Sequence, residues 1–205
     1  MGGSVSEPPF FGVILRMQRL LAHIGKFVEL TEENKETILS IMQYQQVKKK
    51  EYLLRQDAVC NANYFILKGC FRRYYIDEKG TEQTIQFAID NWWITDYDSL
   101  ERRAPSEYFI QAVENAEIAV LDKRVQEDLF RQVPVMERYF RLVLQRAYAA
   151  SVQRIRYIYD FSGEERYNHF SNLFPEFLQR IPQYMLASYL GFTPEFLSKI
   201  RAKKI

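Results

Sequence analysis

The sequence predicts an α+β chain in three parts: a many-stranded antiparallel sheet, one long helix and a closing pair of short helices. Three observations carry this. From Tyr44 to Leu121 aromatic and β-branched segments alternate with turn residues. From Val135 to Tyr159 apolar residues instead recur at steps of three and four. From Ile181 to Arg201 a Gly and a Pro punctuate two short apolar-periodic runs. At 205 residues, 47% hydrophobic and 15% aromatic, the chain is globular rather than disordered. A net charge of +2 is too small to imply a polyelectrolyte partner by itself, so any nucleic-acid signal has to be local.

Met1 to Pro9 reads as a low-order leader, extended to residue 16 in the domain division, with Met17 as an alternative first residue. Leu15, Leu20, Leu21 and Ile24 predict a short helix from Ile14 to Ile24. Thr31-Glu-Glu-Asn is an N-cap with acidic residues in the first turn of a second helix running through Ile38, Leu39, Ile41 and Met42.

Strands follow at Gln45–Lys50, Glu51–Leu54, Tyr64–Leu67, Phe71–Ile76, Glu82–Ile89, Tyr108–Val113 and Glu117–Leu121. Asp77-Glu-Lys-Gly between two alternating runs is a hairpin signal, and many short strands at this spacing predict a barrel or jelly-roll-like sheet. Lys123 to Phe130 reads as a short helix.

In the long helix, Phe140, Val143, Ala147, Ala150, Arg154 and Tyr157 alternate steps of three and four, the seam of a two-helix packing, so they are the candidate dimerisation residues. Leu144, Ile155 and Ile158 lie beside the seam and widen it, so that one side can face a partner and the other the sheet. Asp160-Phe-Ser-Gly breaks the pattern and marks a hinge. Ser162 and Glu165 form a capping box for the next helix, which ends at Phe174-Pro175. The division is therefore 1–16 leader, 17–133 sheet domain with flanking helices, 134–160 dimerisation helix and 161–205 closing domain.

In that closing segment Pro182 suits a first helical turn, Gly191 a left-handed helix end, and Thr193-Pro194 the N-cap and first residue of the last helix. Two helices across a corner containing Gly make a helix-turn-helix. The second has Phe196, Leu197 and Ile200 on its apolar side and Glu195, Ser198, Lys199, Arg201, Lys203 and Lys204 on its polar side. The local net charge is about +4, as a phosphate-facing surface requires.

Glu164-Glu-Arg-Tyr167, Arg180-Ile-Pro-Gln-Tyr, Ala187-Ser-Tyr-Leu-Gly and Thr193-Pro-Glu-Phe-Leu-Ser-Lys-Ile-Arg201 resemble the C-terminal half of CRP/FNR-type transcription regulators. The resemblance covers Leu20 to Arg201. It implies a cyclic-nucleotide-binding-type β-roll, a dimerisation helix and a winged-helix domain. With Ile205 so soon after the last helix, the final wing is expected to be truncated or absent.

The resemblance further implies a homodimeric, sequence-specific DNA-binding regulator, controlled by an effector bound in the β-roll. Its partners would be duplex DNA and RNA polymerase. Glu195, Ser198 and Lys199 occupy the base-contacting positions; Arg201, Lys203 and Lys204 touch phosphates, Gln183 anchors the backbone, and Thr193 caps the reading helix.

The phosphate cassette of cyclic-AMP-responsive relatives maps onto Asn91 to Phe109, and here the sequence departs from it. Asp96 stands for the acid, but Ser106 and Tyr108 occupy the Arg and small-residue positions, with Arg102 and Arg103 a few residues early. Cyclic AMP is therefore not the expected effector. The candidate pocket is Trp92, Trp93, Asp96, Arg102, Arg103, Ser106 and Tyr108, with the two tryptophans read first as core.

Cys60 and Cys70 are too few for an iron–sulfur cluster or a disulfide framework, and His23 and His169 are the sole candidate haem ligands. No catalytic, Walker or metal motif is visible, so no enzyme activity and no cofactor are expected. No run reaches the ~20 apolar residues of a membrane span, and the chain reads as cytoplasmic. The alternative reading is a cyclic-nucleotide or other small-molecule sensor, or a scaffold protein, with weak or lost DNA recognition.

Overall fold

The computed structural model describes residues 9–202, the backbone alone for Pro9–Phe11. Helix α1 (Pro9–Ile24) starts five residues before the predicted Ile14 and takes in half of the stretch read as leader. Pro9 stands at its first position, where a missing N–H costs nothing. Met17, Leu20, Leu21 and Ile24 form its buried stripe at helical spacing.

Helix α2 (Glu32–Ile41) opens on a capping box: Thr31 Oγ1 accepts from the Asn34 amide, and Asn34 Oδ1 accepts from the Thr31 amide.

Eight strands follow: β1 (Gln43–Val47), β2 (Tyr52–Leu54), β3 (Ala62–Lys68), β4 (Cys70–Ile76), β5 (Glu82–Ile89), β6 (Trp93–Ile94), β7 (Phe109–Ala112) and β8 (Ala116–Asp122). They form two antiparallel four-stranded sheets, in the orders β1-β8-β3-β6 and β2-β7-β4-β5. Helix α3 (Tyr97–Arg102) bridges β6 to β7, and α4 (Lys123–Gln132) follows β8.

β3 is buried over Ala62–Leu67 because both its faces are covered. Tyr64 and Ile66 face the roll interior with Phe71, Ile110 and Ile118. Phe65 and Leu67 face a second core with Ile24, Ile38, Leu129 and Tyr139. The β4–β5 hairpin turns as predicted: Asp77 Oδ1 accepts from the Lys79 and Thr81 amides at 2.9 Å, and Gly80 takes φ 77°. At Gly69 (φ 121°) a Cβ would fall 2.5 Å from that of Ala116.

Helix α5 (Val135–Asp160) runs 26 residues and ends at the predicted hinge. The Ser162–Glu165 capping box opens α6 (Gly163–Leu173). A single turn, α7 (Phe177–Arg180), lies between it and α8 (Gln183–Leu190) and was not foreseen. Pro182 is the N-cap of α8, one place before its expected position. Gly191 (φ 75°) ends α8, and α9 (Pro194–Ala202) begins three residues later, with Thr193 Oγ1 accepting from the Phe196 amide. Among the described residues no strand follows α5.

The closing helices share a core of Tyr167, Phe170, Phe177, Met185, Leu186, Leu197 and Ile200, which continues into Cys70, Phe87 and Val113 of the roll. The contact is made by α8 against β5, an edge strand whose outward backbone groups need partners. One hydroxyl supplies two of them. Ser188 Oγ accepts from the Thr84 amide at 2.8 Å and donates to the Glu82 carbonyl at 2.7 Å. Arg180, at the end of α7, adds ion pairs to Asp90 (2.8 Å) and Glu114 (2.5 Å) of the roll.

Candidate functional site

A cavity of about 840 Å³ lies between the roll (β5 and β6), the middle of α5 and the closing helices α6 to α8. Its walls are largely aromatic, with Phe27, Phe87, Trp92, Phe174 and Tyr189 among them. Its charged groups are Arg73, Arg146, Arg154 and Arg166, and no Asp or Glu lines it.

Arg154 is held by the carbonyls of Ile85 and Tyr189 and lies 4.0 Å above the Tyr189 ring. Arg146 lies 4.3 Å over Phe27. Arg166 donates to the Leu190 carbonyl at 3.0 Å, and Arg73 to the Thr95 carbonyl at 2.8 Å. Burial lowers the Arg73 guanidinium from its ordinary value, against the opposing fields of Asp96 and Tyr108.

The predicted effector residues divide. Trp92 and Trp93 both line the cavity. Trp93 is chiefly a core residue, packed on Phe65 and Phe140 and donating to the Tyr139 hydroxyl at 2.8 Å. Trp92 is half exposed and meets Phe174 edge-on.

Asp96 and Ser106 are brought together but turned to each other. Both are buried, and Ser106 Oγ donates to Asp96 Oδ2 at 2.6 Å, so the cassette acid is already engaged. Arg102 and Arg103 are exposed and do not line the cavity; Arg102 pairs with Asp98. Tyr108 is half-buried, with the Arg73 guanidinium 5.2 Å from its ring centre.

Arg73 is a cation of the cavity wall that sequence reasoning missed. It sits mid-strand in β4, where a charge reads as solvent-facing, and it is half-buried with its guanidinium on the Thr95 carbonyl. His169, one of the two histidines considered as a haem ligand, lines the cavity and packs against Tyr157 at 4.3 Å between ring centres.

The residues of the expected α5 seam lie partly in the core and partly at the surface. Phe140 is inside the core, and Val143, Ala147, Ala150, Arg154 and Tyr157 line the cavity. Arg154 is committed to backbone carbonyls and Tyr157 stacks on Phe161, while Ala147 and Ala150 stay exposed. The next residue along carries exposed apolar side chains, Leu144, Tyr148, Ile155 and Ile158, with Val152 and Tyr159 flanking them, and Leu144, Tyr148 and Ile158 also reach the cavity wall. A one-residue step turns a helix by roughly 100°. Tyr148 and Tyr159 are 73% and 84% exposed, values that call for a cover.

At the opposite end of the closing domain, α9 buries Leu197 and Ile200 and leaves Glu195, Ser198 and Lys199 exposed on one face. Thr193 and Gln183 are exposed beside it, and Arg201 is half-buried. Lys203 and Lys204 lie outside the described residues. The contact with the roll is made by α8 and leaves this face of α9 uncovered.

Cys60 and Cys70 are buried free thiols, and burial with the field of Glu114 pushes Cys70 up to about 12, an unreactive value. Among the described residues no group of His, Cys, Asp and Glu is placed to hold a metal ion, and no helix is long and apolar enough to cross a membrane.

Residues 44–133 match the cyclic nucleotide-binding domain family, so the two-sheet unit is a β-roll of that type. No curated protein sequence matches the chain. Among solved structures, the chain is similar to the c-di-GMP-responsive global regulator CLP of Xanthomonas campestris. That match has 14% identity and a TM-score of 0.67, over 83% of this chain and 89% of that one. It is also similar to the catabolite activator protein of Thermus thermophilus, at 20% identity and TM-score 0.54, over 86% and 84%. A third likeness is to a transcriptional regulator assigned to the CRP/FNR family from Eubacterium rectale, at 16% identity and TM-score 0.65, over 85% and 83%. At these identities the likeness establishes a shared fold.

Proposed function

We propose that the chain is a homodimeric, sequence-specific DNA-binding transcription regulator of CRP/FNR type, whose closing α8–α9 pair is a helix-turn-helix. The observation that carries the reading is the single exposed polar face of α9, Glu195, Ser198 and Lys199, on a helix whose other side is buried. Residues three and four apart share a face, as a major-groove reader needs. Glu195 accepts from a cytosine amino group and Lys199 donates to guanine O6 and N7. Arg201, Lys203 and Lys204 contact phosphates, and Gln183 anchors the backbone at the start of α8.

Dimerisation is proposed through the exposed stripe of α5, with a second copy of the same helix as its cover. Leu144, Tyr148, Ser151, Ile155 and Ile158 alternate steps of four and three, the repeat of two-helix packing, so the stripe is complementary to itself. RNA polymerase is the further partner that the regulator reading implies.

The test is a titration of genomic fragments at low and physiological salt, repeated with Lys199→Ala and Arg201→Ala. Lys199→Ala should cost about 1–3 kcal/mol on the preferred site and relax one base pair per half-site. Arg201→Ala should weaken all sequences alike and flatten the salt dependence. If Lys199→Ala leaves the ratio of specific to non-specific affinity untouched, α9 does not read bases.

A further inference from the structure

We propose that the cavity between the β-roll, α5 and the closing helices binds an organic anion with a large apolar body, a long-chain or polycyclic carboxylate, anchored by Arg73. The cavity, about 840 Å³, has the capacity of a ligand site, typically about 300–1,000 Å³. Its charge has one sign only: four arginines and no carboxylate line it. Among the described residues none of those four takes part in an ion pair, whereas Arg72, Arg124 and Arg180 elsewhere in the chain each have a carboxylate.

The orphaned polar atoms point the same way. Six buried side-chain nitrogens and oxygens among the described residues lack a hydrogen-bond partner, and three belong to this wall: Arg73 Nε, Arg166 Nε and His169 Nε2. Buried groups without partners are rare, and two of these three are obligate donors. An acid in the cavity supplies the missing acceptor.

Wall chemistry separates a carboxylate on an apolar body from a nucleotide. A cyclic nucleotide presents ribose hydroxyls that need a carboxylate acceptor. The nearest acid of the cassette, Asp96, is outside the wall and already accepts from Ser106 at 2.6 Å. What faces the cavity instead is aromatic and aliphatic surface from three parts of the chain, with Phe87 on β5, Val143 on α5, and Phe174 and Tyr189 around α6 to α8.

The inference names the effector of the regulator proposed above and rests on that reading for its biological meaning. Binding is measured without DNA, so failure of the titration leaves base reading intact, and failure of the gel shift leaves binding intact. Trp92 and Trp93 are in the wall and report occupancy by fluorescence.

The probes are oleate and 1-pyrenebutyrate, both below their aggregation limits, with oleyl alcohol as the neutral counterpart and cyclic AMP and c-di-GMP as nucleotides. At least one acid should bind one-to-one in the micromolar range, at least tenfold tighter than oleyl alcohol and than either nucleotide. Arg73→Gln should weaken that acid at least tenfold and leave the alcohol unchanged. Ala150→Trp, which adds bulk on the α5 wall without removing a buried group, should abolish binding of both while the far-ultraviolet spectrum is preserved. The inference is overturned by equal affinity for acid and alcohol, by tighter binding of a nucleotide, or by acid binding that survives Ala150→Trp.

Discussion

Ser188→Ala isolates what one hydroxyl contributes to holding the closing domain on the roll. Its Oγ is the partner of two groups on the open edge of β5, the Thr84 amide and the Glu82 carbonyl, 2.8 and 2.7 Å away. Each such bond is worth about 0.5–1.5 kcal/mol net, so losing both costs the docked arrangement about 1–3 kcal/mol. At 1.4 kcal/mol per factor of ten, the undocked population rises roughly 5- to 150-fold. Arg180 with Asp90 and Glu114, and Phe87 against Phe177 and Tyr189, remain in place, so the variant should stay folded and mostly docked.

Amide exchange at Thr84 reads this directly, because its N–H points to Ser188 and not into the ladder with β4. In the variant its exchange should accelerate by that factor, while amides of β3, buried on both faces, keep their protection. An unchanged Thr84 rate in a folded variant would refute the claim that this hydroxyl closes the edge of β5.

Two further outcomes follow from the same structure. Burial, with Lys26 and Arg146 adding to it, lowers His23 from 6.5 to about 4, so the folded state holds the neutral ring against Tyr139. Its contribution is complete above pH 6.5 and is lost as pH falls toward 4. The full shift would be worth about 3 kcal/mol, and partial exposure reduces it to about 1–2 kcal/mol. The stability difference between wild type and His23→Gln, from urea unfolding, should therefore shrink by that amount between pH 7 and pH 4; a constant difference would contradict the assignment. Separately, Tyr148→Glu with Ile155→Glu should halve the sedimenting mass, because each helix would present its charges to the other's. An undiminished mass would place the dimer contact elsewhere than this stripe.

The parts legible in the sequence are those fixed by local chemistry. The Thr31 and Ser162 caps, the Asp77–Gly80 hairpin and the Gly191 corner each need particular side chains within four residues, and each stands where the residues place it. The Glu82–Ile89 strand agrees to the residue. Strand β6, two residues long, has no period to detect. The α5 faces were ambiguous for a stronger reason. Val143, Ala147 and Arg154 make as good a stripe as Leu144, Tyr148 and Ile155, and residues of both reach the cavity wall, so helical spacing alone does not divide the two. Arg73 and Ser188 escaped because their partners, at Thr95, Thr84 and Glu82, come from tertiary contacts. In the cassette the sequence shows Ser106 and Tyr108 at the Arg and small-residue positions, and the structure adds that Ser106 donates to Asp96, a contact no local pattern announces.

Docking through α8 constrains how such a regulator would work. Because Glu195, Ser198 and Lys199 stay exposed while Ser188 and Arg180 are engaged, docking would not act by hiding the proposed reading face. What docking fixes is position. In a dimer paired through the α5 stripe, each α9 is carried by a domain tied to its own roll, so the separation of the two reading helices is set by α5 and the α8–β5 contact together. Adjacent major-groove half-sites lie about 34 Å apart, and a dimer that holds its helices off that spacing binds one half-site at a time. An occupant of the cavity touches roll, α5 and closing helices at once, so it favours one arrangement by whatever wall contacts the other arrangement loses. Leu144, Tyr148 and Ile158 belong both to the cavity wall and to the proposed stripe, so a ligand that shifts them would also change the surface offered to a partner helix. On the proposed reading, effector binding and half-site spacing would be coupled through α5.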